Sequence, residues 1–137
     1  MKKINQIIIV CITTMLIIAA VSCKKDEGRL PDISFKTGAG YTSSDVTLAK
    51  NTPFKIGINA AKTENEDVLK TFNISVSYDG AASTTAYSVS IPTAQEDSFS
   101  YDFALNTRDQ AGTEKYTFTI TNRDGLINTV ALTITVQ

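Results

Sequence analysis

Apolar and polar residues alternate along most of the chain after residue 32, and this pattern predicts an all-β protein folded as an antiparallel sandwich of two sheets. The polar positions are mostly serine and threonine, which suit a pleated surface facing water. Turn-forming Asp-Gly pairs at 79–80 and 124–125 separate apolar runs. Together, these observations predict about seven or eight strands joined in a Greek-key arrangement.

Eight segments carry the strand period, and the last five carry it most clearly. In each segment the alternate apolar residues mark the face that we expect to be buried, while the other face meets solvent. The residues of the buried face are, in chain order, Ile33, Phe35; Val46, Leu48; Phe54, Ile56, Ile58; Phe72, Ile74, Val76, Tyr78; Tyr87, Val89, Ile91; Phe99, Tyr101, Phe103, Leu105; Tyr116, Phe118, Ile120; and Val130, Leu132, Ile134, Val136.

The connections between the strands are predicted from turn chemistry. The Asp-Gly pair at 124–125 is the strongest hairpin signal, and the pair at 79–80 separates the fourth and fifth strands. Residues 60–70 contain good helix formers, but the apolar pair at 68–69 is too sparse for an amphipathic face. We therefore predict a loop there, with at most one helical turn, that crosses between the sheets.

The first 22 residues predict a secretion signal. Lys2 and Lys3 form a positive start, residues 7–21 form an apolar run broken only by two threonines, and small residues precede Cys23. The run has the length of a signal core and is short for a membrane-spanning helix of about 20 residues. A plain transmembrane anchor is the alternative, but the length, the flanks and the position of Cys23 favour the signal.

The segment AVSC at residues 20–23 resembles the lipobox of bacterial lipoproteins, although alanine stands at residue 20, where leucine is most usual. This resemblance implies that the thiol of Cys23 receives a diacylglycerol thioether and that a dedicated peptidase cuts before it. We therefore expect a signal peptide at 1–22, the lipidated cysteine and its tether at 23–32, and one folded domain at 33–137.

The run KKDEG at residues 24–28 resembles the charged export signal of surface lipoproteins in Bacteroidetes-type bacteria. An ordinary solvated linker is the alternative. Lys24 follows Cys23, so the aspartate that retains lipoproteins in the inner membrane of enteric bacteria is absent. The resemblance implies an outer-membrane lipoprotein of the cell envelope that is exposed at the cell surface.

Residues 109–137, DQAGTEKYTFTITNRDGLINTVALTITVQ, resemble the closing hairpin of bacterial Ig-like and PKD-like domains. This resemblance covers about a fifth of the chain and implies a single Ig-like β-sandwich. The cysteine pair and the core tryptophan of disulfide-type Ig domains are absent from the sequence. As a whole, the chain resembles the small single-domain lipoproteins of Bacteroidetes, which implies location and fold and no particular activity.

The composition excludes several function classes. The precursor has 137 residues and a formal net charge of −1, two of its positive charges lie in the signal, and so the mature chain carries about −3. That balance argues against nucleic acid as a partner. There is no histidine or tryptophan, and the two cysteines are Cys11 and Cys23, so the mature domain lacks an imidazole base, a free thiol and a disulfide.

Few catalytic candidates remain. The mature chain contains no Ser-x-x-Lys motif. Paired carboxylates can cleave glycosidic bonds, but acids in loops are ordinarily solvated, so we predict a protein that is not an enzyme. The loop acids in question are Glu64, Glu66, Asp67, Glu96 and Asp97.

Calcium is the metal that loop acids of a β-sandwich would bind. The acids within residues 64–67 and Asp124 supply oxygen atoms, but the Asp-x-Asp-x-Asp spacing is missing and no second acid adjoins Asp124 in the sequence. We therefore predict no metal site and no cofactor.

Tyr41 is the one residue singled out as a ligand contact. It lies in a glycine-rich segment, outside the alternating pattern, where an exposed ring could stack on a sugar. Covering the end of the sandwich is its alternative role. The other four tyrosines follow the buried phase and are expected in the core: Tyr78, Tyr87, Tyr101 and Tyr116.

We therefore expect a lipid-anchored β-sandwich that acts as a non-catalytic binding or structural module. Its expected partners are the membrane, through the N-terminal lipid, and a protein or glycan at the cell surface. The alternative is an accessory subunit of a glycan-uptake or fimbria-like envelope assembly. An exposed aromatic pair would favour a glycan, and an unpaired apolar edge strand would favour assembly by strand addition.

Overall fold

The computed structural model describes residues 28–137, so the predicted signal peptide and Cys23 lie outside the described part. Eight strands and one short 3-10 turn make up the regular structure, which confirms the all-β prediction. Their bounds are β1 Asp32–Phe35, β2 Val46–Leu48, β3 Pro53–Ala61, β4 Leu69–Tyr78, β5 Thr84–Ser90, β6 Ser98–Asn106, β7 Gly112–Asn122 and β8 Ile127–Val136, with the 3-10 turn at Thr93–Gln95.

The strands form two sheets that pack face to face. A three-stranded sheet has the order β1-β3-β6, and a five-stranded sheet has the order β2-β8-β7-β4-β5. All pairings are antiparallel except that of β2 with β8, which is parallel. The parallel pair exists because residues 36–45 carry the N-terminal chain from one sheet to the other.

This strand order is that of an Ig-like sandwich. The strands β1, β3 and β6 take the places of A, B and E in one sheet, and β4, β7 and β8 take those of C, F and G in the other. β5 extends the second sheet beyond β4, as C′ does in variable-type domains. No strand takes the place of D beside β6 within residues 28–137.

The core lies between the sheets and follows the predicted alternation. Phe118 and Ile120 of the central strand β7 are fully buried, whereas Thr117 and Thr119 are only partly buried. Phe72 and Phe118 lie near the middle, with ring centroids 6.3 Å apart, so phenylalanines occupy the region that a disulfide and a tryptophan fill in antibody domains.

Tyr78 corrects the prediction that all four strand tyrosines are in the core. It ends β4 on the buried phase, but its side chain is 38% exposed. Tyr78 is the last residue of the strand, and the guanidinium of Arg108 lies 4.4 Å from its ring centroid and covers one face. Tyr116 is buried, while Tyr87 and Tyr101 are half-buried.

The loops agree with the turn chemistry. Residues 62–68 form the predicted crossing loop, without a helical turn. Gly80 and Gly125 both have positive φ, 77° and 80°, a conformation that glycine adopts without the steric cost other residues meet. Residues 29–31 already contact the sandwich, because the side-chain amide of Asn128 donates a hydrogen bond to the carbonyl of Pro31 at 2.8 Å.

Candidate functional site

Within residues 28–137, no strand closes one side of the sandwich. β6 ends the three-stranded sheet and β5 ends the five-stranded sheet, and both lie on the same side, since the rings of Tyr87 and Tyr101 stack with centroids 4.9 Å apart. The chain passes between β5 and β6 through residues 91–97. The opposite side differs, because residues 36–45 cross it.

Five apolar side chains that point inward on this side are only half-buried, although Phe99 of β6 is buried. We call them the open seam: Tyr87, Val89, Tyr101, Phe103 and Leu105. By contrast, Ile56, Ile74 and Phe118, on the interior strands, have no exposed surface. Burial raises the pKa of the Tyr101 hydroxyl, and its hydrogen bond with Tyr87 raises it further. The seam is thus partly shielded from water, and no segment among the described residues forms a further layer over it.

β6 is the more regular of the two edge strands. Its nine residues pair with β3 without a register shift, whereas β5 has a shift opposite Ile74 and Ser75 that leaves Ala86 out of the pairing. Bulges of this kind protect an edge from further pairing. β5 and β6 together contain a single charged residue, Asp102, and its carboxylate forms an ion pair with Lys36 at 2.6 Å. β6 therefore offers a long, regular and nearly neutral edge.

Tyr41 lies on the outer face of the three-stranded sheet, where it fills the space above Gly57. A Cβ atom at residue 57 would lie 2.6 Å from Cε1 of Tyr41, so only glycine fits beneath the ring. The Tyr41 hydroxyl donates a hydrogen bond to Asp102 at 2.9 Å, and Nζ of Lys55 lies 4.4 Å from the ring centroid. The aromatic surface of Tyr41 is thus engaged by the chain itself. Lys36 chiefly, and Tyr41 after it, hold the pKa of Asp102 below its usual value.

Two open grooves flank Tyr41 on this outer face. One, of about 660 Å³, includes Gly40, Lys55 and Asn106 in its lining. The other, of about 460 Å³, includes Ser34, Asn59 and Ser100. Both are lined largely by small and polar side chains, and no aromatic pair is exposed in either lining.

Each loop acid considered for catalysis lies within reach of a basic side chain. Lys70 pairs with Glu96 at 2.5 Å, and Lys62 pairs with Asp97 at 2.6 Å. In the 64–67 loop, Glu64 lies 3.4 Å from Arg29. Glu66 and Asp67 lie 3.9 Å and 3.5 Å from Arg123.

The structure brings together two acids that are distant in the sequence. Arg123 Nε lies 3.1 Å from Asp124 Oδ1, and its Nη2 lies 3.5 Å from Oδ1 of the buried Asp67. The ion pair with Arg123 lowers the pKa of Asp124. Within residues 28–137, no group of three or more His, Cys, Asp or Glu side chains is arranged to hold a metal ion.

A buried polar network at the far end of the sandwich was not predicted. Glu114 has no exposed surface, and it accepts hydrogen bonds from the Tyr116 hydroxyl at 2.8 Å, the Arg108 backbone at 2.8 Å and Arg108 Nε at 3.1 Å. Arg108 also binds Asp79 through both terminal nitrogens, which lowers the Asp79 pKa. Burial and the bond to Glu114 raise the pKa of Tyr116. The only sequence signal was the polar Glu114 on the apolar phase of β7.

The near end of the sandwich is where the chain enters from the predicted tether. A Cβ on Gly28 would lie 2.9 Å from Cδ1 of Leu126, so the entering chain lies against the β7–β8 turn. Leu30 and Ile127 are both 54% exposed at this end. Within residues 28–137 there is no helix with the length and apolar character needed to cross a bilayer.

Comparison with known proteins supports the fold alone. No protein-family profile and no curated protein matches the sequence. The superoxide reductase (neelaredoxin) of Ignicoccus hospitalis superposes with a TM-score of 0.51 at 11% identity, over 87% of this chain and 89% of that one. A variant of the same protein gives 0.52 at 12% identity, over 85% and 86%.

The sensor domain of the anti-sigma factor RsgI4 from Pseudobacteroides cellulosolvens is more distant. It superposes with a TM-score of 0.43 at 14% identity, over 79% of this chain and 95% of that domain. The likeness to the superoxide reductase supports the β-fold of this chain alone, and the activity in a neighbour's name stays with that neighbour.

Proposed function

We propose that the protein is a lipid-anchored, non-catalytic binding module of the bacterial outer membrane or cell surface. The lipobox-like segment ending at Cys23 supports the anchor. The observation that carries the binding role is the strand position beside β6, next to the open seam, which no strand of the described residues 28–137 occupies. An extended segment of a neighbouring envelope protein would complete the sheet there.

The vacant position suits a strand on physical grounds. The free side of β6 presents backbone N–H and C=O groups that a further strand would pair with, as in other complexes formed by strand addition. Alternate side chains of the added strand would point inward and cover the half-buried rings of Tyr87 and Tyr101. Burying this apolar surface would add a hydrophobic contribution to the backbone hydrogen bonds.

The charge pattern defines the partner's chemistry. Asp102 is already paired with Lys36, so the edge offers no free charge to attract a charged peptide. A fitting segment is therefore uncharged, with apolar residues at alternate positions. A second copy of this chain fits less well, because two β6 strands in full antiparallel overlap would place each Asp102 opposite the other, and like charges directly opposite are destabilising.

The same edge bears on the alternative, an accessory subunit of a glycan-uptake or fimbria-like assembly. Strand addition is a route by which envelope subunits join one another, so the module would serve such an assembly through β6 as well. A glycan as the direct ligand is less favoured, because the Tyr41 ring is engaged by Lys55 and Asp102.

The non-catalytic part of the proposal is supported by composition and by the ion pairs of the loop acids. The chain contains no histidine that could act as a general base. Of its two cysteines, Cys11 lies in the proposed signal peptide and Cys23 is the proposed lipidation site, so neither supplies a free thiol to the mature domain. The acids considered for catalysis are held by lysine and arginine side chains, including Lys70, Lys62 and Arg123. Ion pairing with the chain's own basic side chains occupies these carboxylates, which a glycosidase would need free to face its substrate.

The anchor is tested by the Cys23→Ser substitution. It removes the thiol that would receive the lipid, so the variant should lose membrane anchorage and retain its signal peptide. Cells are labelled with a fatty-acid analogue, and label on the purified variant is compared with label on the parent. Equal labelling of the two proteins would contradict the lipoprotein assignment.

The binding site is tested by photo-crosslinking in intact cells. A benzoylphenylalanine in place of Tyr87 lies in the open seam, and the same residue in place of Tyr78 reports on the far end. We expect a protein crosslink from the first position and not from the second. Adding Val89→Lys, which places a charge in the seam, should abolish the crosslink, whereas the outward-facing Ser88→Lys should leave it intact.

Strand addition itself is read from hydrogen exchange of the crosslinked complex, in which the backbone amides of β6 should become protected. Crosslinking from both tyrosine positions alike, or from neither, would overturn the proposed site. If residue 87 crosslinks but the β6 amides are not protected, the protein binds a partner at the seam by a mode other than strand addition.

A further inference from the structure

We infer that the near end of the sandwich rests on the lipid bilayer, with Leu30 and Ile127 inserted into the interfacial region. This orientation rests on the lipid anchor of the proposed function. It adds a second, non-covalent contact between the folded domain and the membrane, and it fixes which way the binding edge faces.

The exposed apolar side chains are unevenly distributed. Among residues 28–137, the large hydrophobic residues with exposed side chains are Leu30, Tyr78 and Ile127. Tyr78, at the far end, is covered on one face by Arg108. Leu30 and Ile127, each 54% exposed, lie on adjacent segments, because the hydrogen bond from Asn128 to the carbonyl of Pro31 ties those segments together. The near end therefore presents an apolar tip.

The length of the tether places this tip at the membrane. Gly28 follows Cys23 by five residues, and a fully extended chain spans at most about 3.6 Å per residue, so Gly28 stays within roughly 18 Å of the lipidated cysteine. The ten residues of β4 span roughly 33 Å, which is longer than this tether. An inverted domain, with its far end on the bilayer, would hold Gly28 farther from the membrane than the tether allows. The anchor thus holds the apolar tip beside the lipid.

The charges of the near end indicate which lipid surface fits. Arg29 is within 3.4 Å of Glu64, and Arg123 contacts both Asp67 and Asp124, so neither arginine is free for a lipid phosphate. Acidic residues outnumber basic ones there, and an anionic bilayer would therefore repel this end. The contact is hydrophobic, and it suits the interface of a zwitterionic bilayer.

This orientation has a consequence for the binding edge. The strands run away from the bilayer, and the free edge of β6 faces sideways along the membrane. A partner that adds a strand there would be anchored in, or lie close to, the same membrane.

The absence of tryptophan from the chain allows a direct test. The lipidated full chain carrying Ile127→Trp is reconstituted in phosphatidylcholine vesicles with and without brominated acyl chains, and Tyr78→Trp serves as the far-end control. We expect the Ile127→Trp emission to shift to shorter wavelength and to be quenched by the brominated lipid, while the Tyr78→Trp emission stays unquenched. Leu30→Asp should weaken the quenching of the tryptophan at residue 127. The matched control Thr129→Asp, which places the same charge at a neighbouring exposed position, should leave the quenching unchanged.

Flotation of the same samples separates the two proposals. If the protein floats with the vesicles but neither tryptophan is quenched, the lipid anchor is supported and the docked orientation is overturned. Protein that fails to float would overturn both. Stronger quenching of Ile127→Trp when phosphatidylglycerol is added would contradict a hydrophobic contact at an end that an anionic bilayer repels.

Discussion

The fully buried Glu114 is accommodated because each of its carboxyl oxygens has a hydrogen-bond donor. Removing water from a carboxylate costs several kcal/mol, about as much as a good ion pair returns. Arg108 and the Tyr116 hydroxyl supply the donors, and Asp79 fixes the guanidinium from the other side. The network joins the turn after β4 to the β6–β7 loop, so it sets the geometry of the far end more than it adds net stability.

Phe118 and Thr119 test the register of the central strand. Phe118 is fully buried and contacts aromatic rings on both sheets, so Phe118→Ala should lower the free energy of unfolding by about 3–5 kcal/mol. Thr119→Ala, one position along and only partly buried, should change it by no more than about 0.5 kcal/mol. Urea melts of both variants measure the difference, and the reverse order would show a register shifted by one residue.

Single residues were predictable from the sequence where one face of a strand decides their burial. Phe118 and Ile120 follow that rule, because alternation alone places them in the core. Tyr78 and Glu114 depart from it for physical reasons. Tyr78 is the last residue of β4, where Arg108 covers one face of its ring, and Glu114 is buried with its carboxyl oxygens bonded to Arg108 and Tyr116. Contacts between residues distant in sequence are not encoded in a local pattern.

At the level of elements, all eight strands were predicted, because period-two alternation and turn chemistry are local signals. The parallel pairing of β2 with β8 was not, since a three-residue strand carries no information about its neighbour. The first strand, β1, begins at Asp32, and Pro31 before it is already buried.

The candidate site was the least predictable part of the molecule. An edge exists only once strand order is known, and the seam residues read from sequence as ordinary core positions. Only the finished arrangement, three strands facing five, shows that Tyr87 and Tyr101 lack a covering strand. In the same way, the Tyr41 contact with Gly57 depends on a loop folding back over β3.

Taken as a whole, the sandwich separates its surfaces by chemistry. The near end is apolar at its tip and rich in paired charges behind it, the seam side is apolar and almost uncharged, and the far end holds a buried ion-pair network. Under the proposed anchoring, this division gives the membrane and the protein partner separate surfaces, so both can be engaged at once.

The acid sensitivity of the whole molecule follows from three aspartates in different regions. Ion pairs hold the pKa of each below its usual value of 3.8: Arg108 for Asp79, Lys36 for Asp102 and Arg123 for Asp124. A carboxyl group whose pKa is lower in the folded state stabilises the fold above the unfolded pKa, and that contribution is lost as pH falls through the folded value.

We therefore expect stability to change little between about pH 5 and 8, where a chain without histidine has few groups to titrate, and to fall below about pH 4. Thermal melts across this range, at constant ionic strength, measure the profile. The triple variant Asp79→Asn, Asp102→Asn, Asp124→Asn should melt lower than the parent at neutral pH and lose less on acidification, because the groups that titrate have been removed. If the melting temperature of the variant falls with pH as steeply as that of the parent, other carboxylates cause the loss of stability in acid. High salt should narrow the gap between the two proteins, since these aspartates are exposed enough for their ion pairs to be screened.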